Sequence, residues 1–187
     1  MTREDQILAA AIKHLNERPT ASMAQIAEAI GVSRATLHRH YASREALLHA
    51  LGVRALDQWE ESQERARIDR AAASGDAETL TAALKTLIYA LVEGAEEYGY
   101  ALTDHFMYAM PDLVARGEAL EEREIAFYAA AQRAGVLRAD LPTRWISNLI
   151  LGVMITVRDS LHRGEVARRD LEALAYTTFL HGTGGKS

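Results

Sequence analysis

Cysteine is absent from the 187 residues, which excludes a disulfide scaffold, a thiolate zinc site and a cysteine nucleophile together. Proline is scarce: Pro19, Pro111 and Pro142 are the only three, so long stretches carry no helix breaker. No apolar run reaches the length of a membrane span, and Met1-Thr2-Arg3-Glu4-Asp5-Gln6 is too polar for a secretory signal. The expectation is a soluble, cytoplasmic chain without a membrane partner. Also missing are a Gly-rich phosphate loop, a nucleophile elbow and a His-Glu-x-x-His pair. Neither an enzyme nor a cofactor is expected. What is present is ordinary for a globular protein, with 49% hydrophobic and 25% charged residues. The chain is long enough for one or two small domains with a real core.

Net charge is −5, which taken alone argues against nucleic acid as a partner. Its distribution weakens that argument. Residues 1–50 carry six Lys/Arg against five Asp/Glu, with four of the seven histidines, whereas residues 51–187 carry 15 basic against 21 acidic residues. A near-neutral N-terminal module ahead of an acidic body leaves room for a local basic face.

Every substantial segment has a helical period and none alternates as a strand does. The reading is all-α, about nine helices, without a strand. Ile7, Leu8, Ala11, Ile12 and Leu15 stripe a first helix that Thr2 can cap and Arg18-Pro19 ends. Ser22 and Gln25 have capping-box spacing for a short second helix, stopped by Gly31. Ser33 can cap a third helix with Leu37 and Tyr41 inward, and Ser43 a long one reaching about Arg70. Later helices follow Ser74-Gly75-Asp76, a break at Pro111, Gly135 and Pro142, and the last runs from about Val166 to Leu180. Gly182-Thr183-Gly184-Gly185-Lys186-Ser187 is expected to fray.

Two short helices around a glycine turn form a helix-turn-helix. With Leu37 and Tyr41 buried, Ala35 and Arg39 lie on the opposite face of the third helix, flanked by Arg34, Thr36 and His38, with His40 at the edge. Arginine can donate two bonds to guanine O6 and N7 in a major groove, and Thr, Ser and His suit phosphate oxygens. Ser22 and Arg44 start the flanking helices, where free N–H groups favour phosphate. The plain alternative is a solvated basic face on an ordinary helical hairpin.

Ile26-Ala27-Glu28-Ala29-Ile30-Gly31-Val32-Ser33-Arg34-Ala35-Thr36-Leu37-His38-Arg39-His40-Tyr41-Ala42-Ser43-Arg44-Glu45-Ala46-Leu47-Leu48 resembles the DNA-binding domain of TetR-family transcriptional regulators. The resemblance covers about residues 5–55; the rest of the chain matches only in helix count and in its two long terminal helices. It implies an all-α homodimer, usually a repressor, with residues 1–45 reading a near-palindromic operator in double-stranded DNA. Residues 46–187 would bind a small-molecule effector and dimerise. Carried over, Arg34, Ala35 and Arg39 fall at base-reading positions, and Ser22, Thr36, His40 and Arg44 at phosphate positions. His38 stands where the family usually has Tyr, Tyr41 where it has Phe, and Arg44 where it has Lys. His38 is shorter than Tyr and would hold phosphate better when protonated.

In the helix after Pro142, Ile146, Leu149, Ile150, Val153, Val157 and Leu161 make one stripe, with Leu151 and Ile155 outside it. Leu171, Leu174, Ala175, Thr178 and Phe179 give the last helix a similar face. These faces suit a four-helix dimer seam in which Ile146, Leu149, Ile150, Val153, Val157, Leu161, Leu171, Leu174 and Thr178 take part. Use of both faces inside a monomer is the alternative.

For an apolar or aromatic effector, the candidate lining is Trp59, Tyr89, Phe106, Met110, Arg123 and Phe127. Tyr98, Tyr100, His105, Met107, Tyr108 and Tyr128 stand close by in sequence, and a plain core explains any one of them as well. Glu93, Glu96 and Glu97 read as a solvated helix face. No metal site is expected: His38 and His40 point to different faces, and Glu45/His49 and Asp159/His162 lack a third ligand. A helical carrier with a structural N-terminal hairpin is the rival to a regulator, and the Arg34/Arg39/Arg44 face argues against it.

Overall fold

Each of the first four helices starts on a hydroxyl side chain. The computed structural model describes residues 2–97, 99, 101 and 105–185, apart from the side chains of Glu96, Glu97 and His105. In it α1 (Arg3–Glu17), α2 (Met23–Ala29), α3 (Arg34–His40) and α4 (Arg44–Ala66) are capped by Thr2, Ser22, Ser33 and Ser43. Thr2 with Asp5 and Ser22 with Gln25 form full capping boxes, satisfying two orphan donors each. Between α2 and α3 the chain reverses at Gly31, whose φ of +72° is the left-handed region. The Gly31 N–H donates to Glu28 and the Val32 N–H to Ala27. This paired closure of a helix C-terminus favours glycine there.

The long helix expected from Ser43 to about Arg70 breaks at Arg67, which adopts φ 52° and ψ 44° and joins α4 to α5 (Ile68–Ser74). Then come α6 (Ala77–Glu97), a 3-10 turn His105–Ala109 and α7 (Pro111–Arg133). After α8 (Thr143–His162), a short 3-10 turn Arg168–Asp170 leads into α9 (Leu171–Thr183). Pro111 opens α7 rather than interrupting a helix, since the first helical position needs no N–H. Gly182 to Gly185 do not fray. The Arg138 N–H donates to Thr183 and the Gly185 N–H to Val136, so a bridge between Leu137 and Gly184 ties the end of α9 to the turn after α7. Among the described residues no helix is long and apolar enough to cross a membrane.

Two apolar cores result. The N-terminal one gathers α1–α3 and Leu47, Leu48, Leu51 and Leu56 of α4, and is completed by Met110, Leu113 and Leu120. The larger one joins α5, α6, α7, α8 and α9. Packing therefore carries the N-terminal core past residue 45 into α4. At Gly52 a Cβ would stand 2.5 Å from Leu113 Cδ1, so any larger residue there would make the Leu113 side chain shift.

The proposed dimer stripe divides. Ile146, Ile150, Val153, Val157 and Leu171 are buried in the protomer's own core, because this side of α8 and the start of α9 face their own chain, which leaves them little surface to offer a partner. Leu149 and Leu161 are half-buried, and Leu174 and Thr178 are exposed. Trp145 at 60% exposure joins Leu174 at 49% as a large apolar group on the outer side.

A non-glycine residue in the left-handed region is strained by about 1–2 kcal/mol, partly offset by the larger chain entropy lost by glycine. Arg67→Gly should therefore raise stability by about 0.5–1 kcal/mol. A urea midpoint that falls instead would show that the Arg67 side chain matters more than its backbone.

Candidate nucleic-acid interface and buried cavity

The α3 helix is seven residues long, and Leu37 anchors it with no exposed surface. Arg34, Ala35 and Arg39 emerge on the far side as exposed residues, with Thr36 half-buried beside them. The Thr36 hydroxyl lies 2.8 Å from that of Ser33, and Ser33 accepts the Thr36 N–H. Ser22 is exposed at the start of α2.

Three residues behave differently from their expected roles. Arg44 reaches back from α4 to donate to the carbonyls of Ala21, at 3.2 Å, and Pro19, at 2.8 Å. It thereby fastens the loop that delivers Ser22. His38 folds its Nδ1 to within 3.3 Å of the Ala42 carbonyl, bracing the turn into α4. His40 is half-buried, and its Nε2 lies inside without a partner among the described residues, so that atom is not offered to a phosphate.

Tyr41 fills its core position, but its hydroxyl is buried without a partner among the described residues. Burial, aided by the carboxylates of Glu4 and Asp5, pushes its pKa up to about 12.

From this domain α4 continues into the body, where polar pairs bind it to its neighbours. His49 meets Asp112 at 2.7 Å, and Arg116 reaches Asp57 at 2.7 Å and Glu60 at 2.6 Å. Arg65 pairs with Glu93 of α6. Such half-exposed pairs are each worth about 0.2–1 kcal/mol, enough to bias a position but not to build a core.

Behind α4 lies a cavity of about 550 Å³, walled by α4, α6, α7, α8 and the 3-10 turn. Of the six residues expected to line a pocket, only Trp59 does so. Tyr89 stacks edge-on against Tyr176 of α9 at 6.3 Å. Phe127 is wholly buried in the larger core and Met110 in the N-terminal one, where Phe106 packs against it. Arg123 is engaged by Asp69 at 2.8 Å and lies 4.0 Å from Glu60. Aromatic side chains thus went mainly to the cores, where their area is best used. Met107 and Tyr108 do line the cavity, whereas Tyr98, Tyr100 and the His105 side chain lie outside the described residues.

Sequence reasoning missed the acidic wall. Glu118, Glu121 and Glu124 of α7 all line the cavity, and no lysine, arginine or histidine does so among the described residues. Glu124 is 2% exposed. It accepts hydrogen bonds from Trp59 Nε1, from the Tyr128 hydroxyl at 3.0 Å and from Gln63 Nε2 at 3.4 Å. Loss of water outweighs these donors and holds its pKa above the ordinary carboxylate range, with Glu121 adding to the effect. A signal did exist: Glu124 lies four residues after Leu120 and three before Phe127, on the inward stripe of α7.

Residues 7–51 match the family described as bacterial regulatory proteins, tetR family. The HTH-type transcriptional regulator NfxB of Pseudomonas aeruginosa is 28% identical, covering 97% of this chain and 95% of NfxB. The HTH-type transcriptional repressor LfrR of Mycolicibacterium smegmatis is 30% identical over 79% of this chain and 73% of LfrR. The crystal structure of LfrR in complex with proflavine superposes with a TM-score of 0.73 at 26% identity, covering 95% of this chain and 94% of that one.

If Arg44 is mainly a loop fastener, Arg44→Ala should lower stability by about 1–2 kcal/mol by stranding the Pro19 and Ala21 carbonyls. Thermal unfolding tests this. An unchanged midpoint with weakened DNA binding would return Arg44 to a purely phosphate-binding role.

Proposed function

The chain belongs to the tetR family of bacterial regulatory proteins, and we propose that it is a homodimeric repressor released from a near-palindromic operator by a small molecule. One observation carries this reading: a single helix, α4, is shared by the domain that presents α3 and by the wall of the 550 Å³ cavity. An occupant pressing on Trp59 or Gln58 acts on the same rigid rod whose first turns bury Leu47 and Leu48 against α1–α3. The LfrR complex with proflavine supports a small aromatic occupant.

On this reading the DNA-binding unit comprises residues 1–45 and the α4 turns packed on them. Arg34, Ala35 and Arg39 meet base edges, while Ser22 and Thr36 hold phosphates. His38, His40 and Arg44 chiefly shape the domain. Two protomers join through the outer sides of α8 and α9, with Trp145, Leu149, Leu174 and Thr178 in the seam. Gly152 lies on that face with open space at its Cβ, which permits close helix approach.

Selection of bound duplexes from a random pool tests the core of this reading. It should return two half-sites whose centres are about 34–36 Å apart, or a multiple of that spacing. Against the selected site, Arg39→Ala should lose about 1–3 kcal/mol and relax preference at one base pair. Equal losses on selected and random DNA would reduce Arg39 to a phosphate contact. Separately, combining Trp145→Asp with Leu174→Asp should give folded monomers by light scattering, because like charges would meet across a two-fold seam. An intact dimer would place the seam elsewhere.

A further inference from the structure

We propose that the cavity is built for a planar aromatic cation, with the Glu124 carboxylate as the buried counter-charge and Glu118 and Glu121 drawing the ligand in at the mouth. The inference rests on the effector reading above and adds to it the charge class of the occupant. Its basis is the composition of the wall. Apolar and aromatic groups such as Trp59, Leu91, Met107 and Met154 suit a flat ring, while all three charged side chains are negative.

The charges around Glu124 reinforce the choice. From α4 it faces Trp59 and Gln63, and from its own helix Tyr128 and Glu121, none of them cationic. On α6 and α8 the wall is formed by neutral residues, including Gly94, Ser147 and Asn148. The arginines of the surrounding helices are held elsewhere. Arg116 pairs with Asp57 and Glu60, and Arg123 with Asp69. Arg158 donates to the Gly99 carbonyl and to Asp159. Arg144 binds Glu122 and stands 3.6 Å from Glu121, so Glu121 alone of the three is partly compensated.

A neutral ligand would gain only apolar contact here. A cation supplies the opposite charge that no described residue brings to Glu124, in a place where water screens little. Burial disfavours the charged form of Glu124, and a cation beside it would favour that form.

The test compares N-methylacridinium, permanently charged, with its neutral isostere 9-methylanthracene, titrated into the full-length protein by fluorescence. The wild type should favour the cation by about tenfold or more, and E124Q should erase that preference while retaining 9-methylanthracene. The second variant, E118Q/E121Q, alters no buried group and should weaken the cation alone by about threefold. Equal affinity of the two probes for the wild type, or a preference that survives in both variants, overturns the proposal. Failure of N-methylacridinium to bind overturns it as well. Release of a selected duplex is read separately. Cation binding that requires Glu124 but leaves DNA affinity unchanged would refute the effector reading and uphold the charge assignment.

Discussion

The rest of the structure depends on α4 being one unbroken helix with a place in both cores. Its first turns bury Leu47, Leu48 and Leu51 with α1–α3, and its last turns bury Ser62, Gln63 and Ala66 among the body helices. Its 23 residues span about 34 Å, too stiff an element to bend between the two cores. The N-terminal domain has few other contacts with the body. What it has comes chiefly from Met110, Leu113 and Leu120, which enter its core beside α4. Gly52 leaves room for one of these residues, Leu113, whose Cδ1 would lie 2.5 Å from a Cβ there. A rearrangement of the cavity wall therefore reaches the N-terminal core through α4, against which α7 packs, and through the contact of α6 with α1. Coupling of that kind requires two states that the occupant distinguishes, and it must run equally in both directions.

Charge is partitioned along the same axis. The first 50 residues are nearly neutral, and the body holds 21 acidic against 15 basic residues. With a screening length of about 8 Å at physiological ionic strength, an acidic body does not cancel the Arg34 and Arg39 face at the far end of the molecule. It does disfavour non-specific contact between DNA and the body. The same excess supplies the acidic cavity wall. A basic α3 face and an acidic cavity wall thus stand in one chain of net charge −5.

Much of the N-terminal domain was legible because local chemistry decides it. Thr2, Ser22, Ser33 and Ser43 cap where capping chemistry places them, and Gly31 turns where a left-handed residue is needed. The outer face of α3 follows once Leu37 is fixed inside. The body was less legible because α8 is apolar on more than one side. Periodicity finds the stripe of Ile146, Ile150, Val153 and Val157 but cannot say whether its partner is the same chain or another. Trp145 and Leu174 are left outside that core. The break at Arg67 had no local signal, since arginine is a good helix former and its left-handed backbone is imposed by the packing of Ile68 and Ala71. Phe127 and Met110 are drawn into packing that any core would use, and Tyr89 sits half-buried against Tyr176.

In this chain the informative signal for the cavity is an inward carboxylate rather than an aromatic ring. A carboxylate on the inward stripe of a helix is a poor choice for stability. Burying it costs several kcal/mol before its hydrogen bonds are counted, and an apolar residue of similar volume is often as good or better. Glu124 is held by donors from two helices, so the position is constructed rather than tolerated. The donors come from Trp59 and Gln63 of α4 and from Tyr128 of α7, which makes the carboxylate a joint between the two helices that connect the cavity to the N-terminal core. A change in its charge alters the hydrogen bonds of α4 directly, because Trp59 and Gln63 must then answer to a different acceptor. The group best placed to sense a ligand's charge is thus also the one that fastens the helix a ligand would have to move.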